Sequence, residues 1–168
     1  YFRRKHNGAI PIGPMRTVIP SAPAAWIMAL DRYGTMSFGD VAHYAVRFAR
    51  DGFPMNALLR QTITQNRENY LAYPHAATIY LPKDGQPVDI GELFYQKELG
   101  ASLQYMIDQE AAALSNGADR KAGLQAARNA FYKGDLAKAF TNYHKDVGGW
   151  LTMQDLSHYE EVNAQVLA

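Results

Sequence analysis

The side chains that could do chemistry in this chain are five histidines, His6, His43, His75, His144 and His158, with scattered serines, threonines and carboxylates. Two histidines four apart on a helix would aim both imidazoles at a zinc ion, and a neighbouring glutamate would supply a general base. No pair has that spacing and none is followed by a carboxylate in that order, so the histidines read as non-ligands. A serine nucleophile is credible on a Gly-x-Ser-x-Gly elbow or in a Ser-x-x-Lys pair. Ser21, Ser37, Ser102, Ser115 and Ser157 have neither setting. The carboxylates are scattered, and Asp40 and Asp155 have a structural use at helix starts, so a paired acid/base site is unsupported. Gly148-Gly149 and isolated Gly-x-Gly spacings do not build a phosphate loop and read as turns. With cysteine absent, disulfides, thiolate zinc sites and thiol nucleophiles are excluded. The expected set of catalytic, substrate-binding, cofactor-binding and metal-ligating residues is therefore none.

The bulk properties narrow the partners. With 17 basic and 16 acidic residues among 168 the formal charge is +1, so no global field draws the chain to nucleic acid or an anionic membrane. No apolar run approaches the roughly 20 residues needed to cross a bilayer, and nothing at the start resembles a signal peptide. The length suits one unit spanning 1–168. A start at Tyr1 and a stop at Ala168 with no closing element suggest a piece of a larger chain.

The elements that would hold these residues are mostly helices. Residues 1–23 join the basic run Arg3-Arg4-Lys5 to Gly8, Gly13, Pro11, Pro14, Pro20 and Pro23, which block a continuous helix and predict an extended, mobile lead-in. Residues 24–160 form the helical segment. Trp26, Leu30 and Tyr33 fall on one helix face that stops at Gly34. Ser37-Phe38-Gly39-Asp40 has the form of a capping box, and Val41, Tyr44, Ala45 and Phe48 then recur as a stripe expected in the core. A third helix is expected over 56–70. Between 78 and 90, Asp84-Gly85 amid apolar pieces predicts a hairpin or turn. Leu99, Leu103, Met106, Ile107 and Leu114 mark a long helix over 96–115. Asp119 can cap a helix to about Lys133, and Gly134-Asp135 opens another with Leu136, Ala139, Phe140 and Tyr143 as its buried stripe. Thr152-Met153-Gln154-Asp155 is a second capping box. Residues 161–168 read as a possible strand.

Ala130 to Phe140 resembles the helix junction of a tetratricopeptide unit, but such units stack at a period of about 34 residues and no second copy is present. The same stretch carries Phe131-Tyr132-Lys133-Gly134, which resembles the Phe-Tyr-x-Gly motif of the γ-glutamyltranspeptidase family. Other blocks resemble that family in the same order. They are Ile19-Pro20 and the Ala-rich helix ending at Arg32-Tyr33-Gly34, then Ala49-Arg50-Asp51-Gly52-Phe53-Pro54-Met55. Next come Tyr80 to Pro87 with Gly91-Glu92-Leu93, Glu98 to Leu103, and finally Gly148-Gly149-Trp150-Leu151-Thr152-Met153-Gln154-Asp155-Leu156 with Tyr159. Three departures stand out: Ser21 replaces a glycine, Gly100 an alanine, and residues 107–129 form a longer connection.

The resemblance implies a mainly α fold, a helical segment of the large subunit of an N-terminal-nucleophile hydrolase whose whole fold is an αββα sandwich. It implies a precursor that cuts itself to expose a threonine, whose α-amine serves as base. The enzyme would cleave γ-glutamyl amides such as glutathione and transfer the γ-glutamyl group to water, an amino acid or a peptide. No threonine here, at 17, 35, 62, 64, 78, 141 or 152, is followed by threonine or histidine, and Phe2-Arg3-Arg4 lacks the acidic residue of the family's carboxylate-gripping arginine motif. The segment alone is thus expected to be inactive, a scaffold whose partners are the remainder of the large subunit and the small subunit. No cofactor is implied, and the periplasm or extracellular space is the expected location. The competing expectations are a non-enzymatic helical interaction module and an acylase of the same fold acting on another amide.

Overall fold

Helix starts follow the capping chemistry. In the computed structural model, which describes residues 1–159, the Ser37 hydroxyl accepts from the Asp40 amide while the Asp40 carboxylate accepts from the Ser37 amide, each at 3.0 Å. This opens α3 (Phe38–Asp51). Thr152 and Asp155 form the same reciprocal pair at the start of α10 (Met153–Ser157). Asp119 accepts from the Ala122 amide at 2.8 Å and opens α8 (Arg120–Tyr132). In each case a side-chain oxygen satisfies an amide that the first helical turn leaves without a partner.

The remaining elements are α1 (Phe2–Lys5), α2 (Ala22–Tyr33), β1 (Phe53–Pro54), α4 (Ala57–Gln65), α5 (Arg67–Leu71), α6 (Pro74–Tyr80), β2 (Leu93–Phe94), α7 (Lys97–Ser115) and α9 (Asp135–Asp146). Several differ from expectation. The lead-in holds one helical turn, α1, and a 3-10 turn at Pro14–Arg16, and α2 begins before residue 24. The expected third helix is two, broken at Asn66, whose side-chain amide donates to the Thr62 carbonyl. Thr78 to Tyr80 belong to α6, so the turn is shorter than expected: Lys83 and Gln86 form an antiparallel bridge around Asp84 and Gly85, both with positive φ. The strand pair β1–β2, antiparallel with Phe53 opposite Phe94, carried no sequence signal. The possible strand at 161–168 lies outside the described residues.

By contacts the chain divides into two compact units, residues 1–41 with 105 onward, and residues 42–104. The second is built on Met55, Ile63, Leu81, Val88 and Phe94, with Tyr70 stacked on Tyr80 and Tyr80 on Phe94 above them. In the first, α2 and α9 both pack on α8, whose buried positions include Gly123, Leu124, Ala127 and Ala130. Small residues at such an interface let helix axes approach closely.

The core stripes expected on α3 and α9 are largely exposed, and so are Trp26 and Tyr33 of the face expected on α2. On α2 the buried residues are Pro23, Ala24 and Ile27, while Trp26 is 49% and Tyr33 84% exposed. On α3, Phe38, Ala42, Val46 and Ala49 are buried, whereas Tyr44 is 57% and Phe48 54% exposed. On α9, Ala137 and His144 are buried, and Ala139, Phe140 and Tyr143 are exposed. Leu103 and Met106 of α7 are buried as expected, but Leu99 and Leu114 are exposed.

Candidate functional site

Parts of three motif blocks meet in the first unit at Tyr132, which is fully buried. Its hydroxyl donates to the Pro20 carbonyl at 2.5 Å and accepts from the Ala24 amide at 3.2 Å. Ala24 is the third residue of α2, so its amide is one that a cap would normally serve. Ser21 stands at the cap position but makes no side-chain capping bond. The phenol, from 108 residues downstream of Ala24, does that work instead.

Other helix ends are held the same way. Buried Glu110 of α7 accepts from the Phe38 and Gly39 amides, both at 2.8 Å, taking the two α3 amides that the Ser37–Asp40 box leaves. Arg120 donates to the Leu30, Gly34 and Met36 carbonyls at the far end of α2. Arg128 donates to the Tyr159 carbonyl at 2.6 Å and lies over the Tyr132 ring at 4.8 Å, and Tyr132 stacks on Tyr159.

The glycine pair has a steric cause. Gly148 takes a positive φ of 75°, and a Cβ built on Gly149 would overlap the His144 imidazole. His144 is buried, with its Nδ1 unpartnered. At Gly100, one of the departures from the family pattern, a Cβ would lie 3.3 Å from the Arg50 amide nitrogen, so glycine lets α7 approach the α3 backbone closely.

One histidine lies beside a hydroxyl, but not in working geometry for catalysis. The Ser157 hydroxyl and His158 Nδ1 are 3.4 Å apart, but that nitrogen is 3.0 Å from the Gln154 carbonyl, which only accepts; Nδ1 therefore carries the proton and is no base for Ser157. His43 packs on Tyr44. Among the described residues no group of three or more metal-ligating side chains gathers, and no helix is long and apolar enough to cross a membrane. A cleft of about 170 Å³ between α2 and α8 has Ile27 and Leu124 in its floor, with Asp31, Arg32, Lys121 and Arg128 around it. Lys121 lies 3.8 Å from Asp31.

Exposed carboxylates carry the clearest electrostatic signatures. Asp155 is held below the usual carboxylate range by hydrogen bonds from the Thr152 hydroxyl and amide. Asp89 is lowered by Arg60 and Lys83, and Glu92 by Lys83 and the Asp89 amide. These charges hold a helix start and a turn and contribute little beyond that in water.

A family profile described as Gamma-glutamyltranspeptidase matches residues 1–167. The chain is 30% identical over 153 residues to the Glutathione hydrolase-like YwrD proenzyme of Bacillus subtilis (strain 168), covering 90% of this chain and 26% of that protein. It is also 30% identical over 148 residues to the Acylase ACY 1 proenzyme of Pseudomonas sp. (strain V22), covering 88% and 23%. Its fold is similar to that of Helicobacter pylori gamma-Glutamyltranspeptidase, with a TM-score of 0.77 at 22% identity over 93% of this chain and 41% of that one. The chain thus spans about a quarter of the length of these curated relatives.

Proposed function

Because the chain belongs to the γ-glutamyltranspeptidase family, we propose that it is a scaffold segment in the large subunit of an enzyme that cleaves γ-glutamyl amides such as glutathione. The enzyme passes the γ-glutamyl group to water, an amino acid or a peptide. Its nucleophile is a threonine exposed by self-cleavage in a part of the protein outside these residues, and the partners of this segment are the rest of the large subunit and the small subunit. The proenzyme relatives support the processing step. A periplasmic or extracellular location belongs to the same reading.

The observation that carries the scaffold role is the outward placement of large apolar side chains. Trp26 and Tyr33 on α2, and Tyr44 and Phe48 on α3, fall on the faces whose periodicity marks them as core, yet they are exposed on this chain. Fully burying each such side chain is worth about 1.5–3 kcal/mol. A sequence that repeats this pattern on separate helices is written for burial against more polypeptide.

An acylase of the same fold, acting on another amide, is the second reading. It is favoured by one observation, the 30% identity shared equally with the acylase and the hydrolase-like relative. The test is amide hydrolysis by the whole protein beside the isolated segment at equal concentration. Release of glutamate from γ-glutamyl amides by the whole protein alone is the expected result. Activity in the segment alone would overturn the scaffold role. A folded, self-cleaved whole protein that spares γ-glutamyl amides but cuts other acyl amides would establish the acylase reading.

A further inference from the structure

An asparagine or aspartate followed by glycine occurs at Asn7-Gly8, Asp51-Gly52, Asp84-Gly85 and Asn116-Gly117, and all four side-chain-bearing residues are exposed. In such a pair the glycine nitrogen can attack the side-chain carbonyl carbon before it, because glycine has no Cβ to crowd the approach. The new C–N bond closes a succinimide ring. Water leaves from aspartic acid and ammonia from asparagine, in each case taking up the glycine N–H proton. Water then reopens the ring: attack at the former side-chain carbonyl gives aspartate, and attack at the main-chain carbonyl gives isoaspartate, with one more atom in the main chain. Exposure does not separate the four sites, but the glycine N–H does. Gly8 donates to the Phe2 carbonyl, Gly52 to Phe48 and Gly117 to Leu114, each at 3.0 Å. Those bonds end α1, α3 and α7, and each must break before the nitrogen can turn on its neighbour. The Asp51 carboxylate is also held by the Arg50 guanidinium at 2.8 Å.

Asp84-Gly85 is in the opposite state. It is a two-residue loop closed by Lys83 and Gln86, which exchange bonds of 3.1 and 2.9 Å. Among the described residues neither the Gly85 N–H nor the Asp84 carboxylate has a partner. Asp84 sits at a φ of 49°, a left-handed conformation that a side chain disfavours. The tip is restrained through the Gly85 carbonyl, which accepts from Arg67 Nε at 2.6 Å. We propose that Asp84-Gly85 is the modification site at which the folded protein forms isoaspartate, with Arg67 as its restraint, and that the three helix-ending pairs are shielded. The extra main-chain atom does not fit a two-residue loop, so the Lys83–Gln86 bridge is lost between Leu81 and Val88 of the apolar cluster. Asparagine loses ammonia more readily than aspartate loses water. The unfolded chain therefore reacts first at Asn7 and Asn116, and folding inverts that order. None of this depends on the enzyme reading above.

The test is timed incubation of the whole protein, folded and in guanidinium, followed by peptide mapping. Mass spectrometry reads deamidation, and resistance to a protease that cuts before aspartate reads isoaspartate. Folded wild type should accumulate isoaspartate at Asp84 ahead of the other three sites, whereas the chain in guanidinium should react first at Asn7 and Asn116. Asp84→Asn gives three sites the same leaving group. In that variant, folded, the introduced amide should be lost about tenfold faster than those of Asn7 and Asn116, a factor that one retained hydrogen bond can supply. Arg67→Met should speed the reaction at Asp84, and Arg67→Lys, which keeps a donor, should speed it less. An amide in Asp84→Asn that lasts as long as Asn7 and Asn116, or the same order of sites folded and unfolded, overturns the proposal. An unaltered rate in folded Arg67→Met overturns the part given to Arg67, and if that variant does not fold, the Asp84→Asn comparison still decides the site.

Discussion

The two units of this chain are held together by different means. In residues 1–41 with 105–159, helix ends are tied by side chains far away in sequence: Tyr132 to α2's start, Arg120 to its end, and Glu110 to the start of α3. In residues 42–104, the hold is an apolar cluster around Met55, Ile63 and Phe94. The unit's polar links are largely exposed, such as Arg60 with Asp89 and Lys83 with Glu92. A buried tether is intolerant of displacement, because a missed bond leaves a desolvated group costing about 1–3 kcal/mol. An apolar cluster of the right volume tolerates repacking. The first unit is therefore built for geometry and the second for cohesion, and the family's Phe-Tyr-x-Gly and Gly-Gly blocks lie in the first.

Tyr132→Ala should do the greatest damage, losing about 3–5 kcal/mol in urea unfolding, since it removes a fully buried aromatic together with its bridge. A loss below that of Ile63→Val, about 0.5–1.5 kcal/mol in the apolar cluster, would break the contrast between units. Glu110→Ala comes next at about 2–3 kcal/mol, because two α3 amides lose their acceptor. Glu110→Gln, which keeps one acceptor, should cost less. If calorimetry finds the two equal, the carboxylate is not acting as a double acceptor.

Gly149→Ala should cost about 1–3 kcal/mol by forcing the His144 imidazole aside. Nuclear magnetic resonance would see the ring shift, whereas an unshifted ring with full stability would remove the steric explanation of the glycine pair. Acid gives the smallest effect. Asp155, Asp89 and Glu92 all have folded values below the ordinary carboxylate range. Their contributions are therefore complete above that range and fade only as pH falls through the lowered folded values. Being exposed, they should change the melting temperature only slightly between neutral pH and the ordinary carboxylate range, and Lys83→Met should act just as weakly at neutral pH. A large loss in that interval would mean that surface charge, not the apolar cluster, holds the second unit.

Legibility in the sequence followed range. Both capping boxes, the Asp119 cap, the long helix ending at Ser115 and the Asp84-Gly85 turn are settled by residues within a few positions of one another. Thr78 to Tyr80 looked extended because they are β-prone, but Pro74 at the first turn of α6 sets a helix that runs through them. The β1–β2 pair is two residues long on each side, too short for any period to register. The Tyr132, Glu110 and Arg120 tethers span 71 to 112 positions, and no local pattern encodes such a partner.

The sequence by itself determined the helix starts, the glycine stops and the family, because caps, turns and ordered motif blocks are local or cumulative signals. It also placed Trp26 and Tyr33 on one apolar helix face and marked Tyr44 and Phe48 for burial. Only the tertiary structure decided that this segment buries small residues of α2 and α8 instead and leaves those aromatics exposed. Periodicity reports that a helix has two faces. Which face is covered depends on polypeptide that approaches from far along the chain, and that approach is a property of the packed molecule.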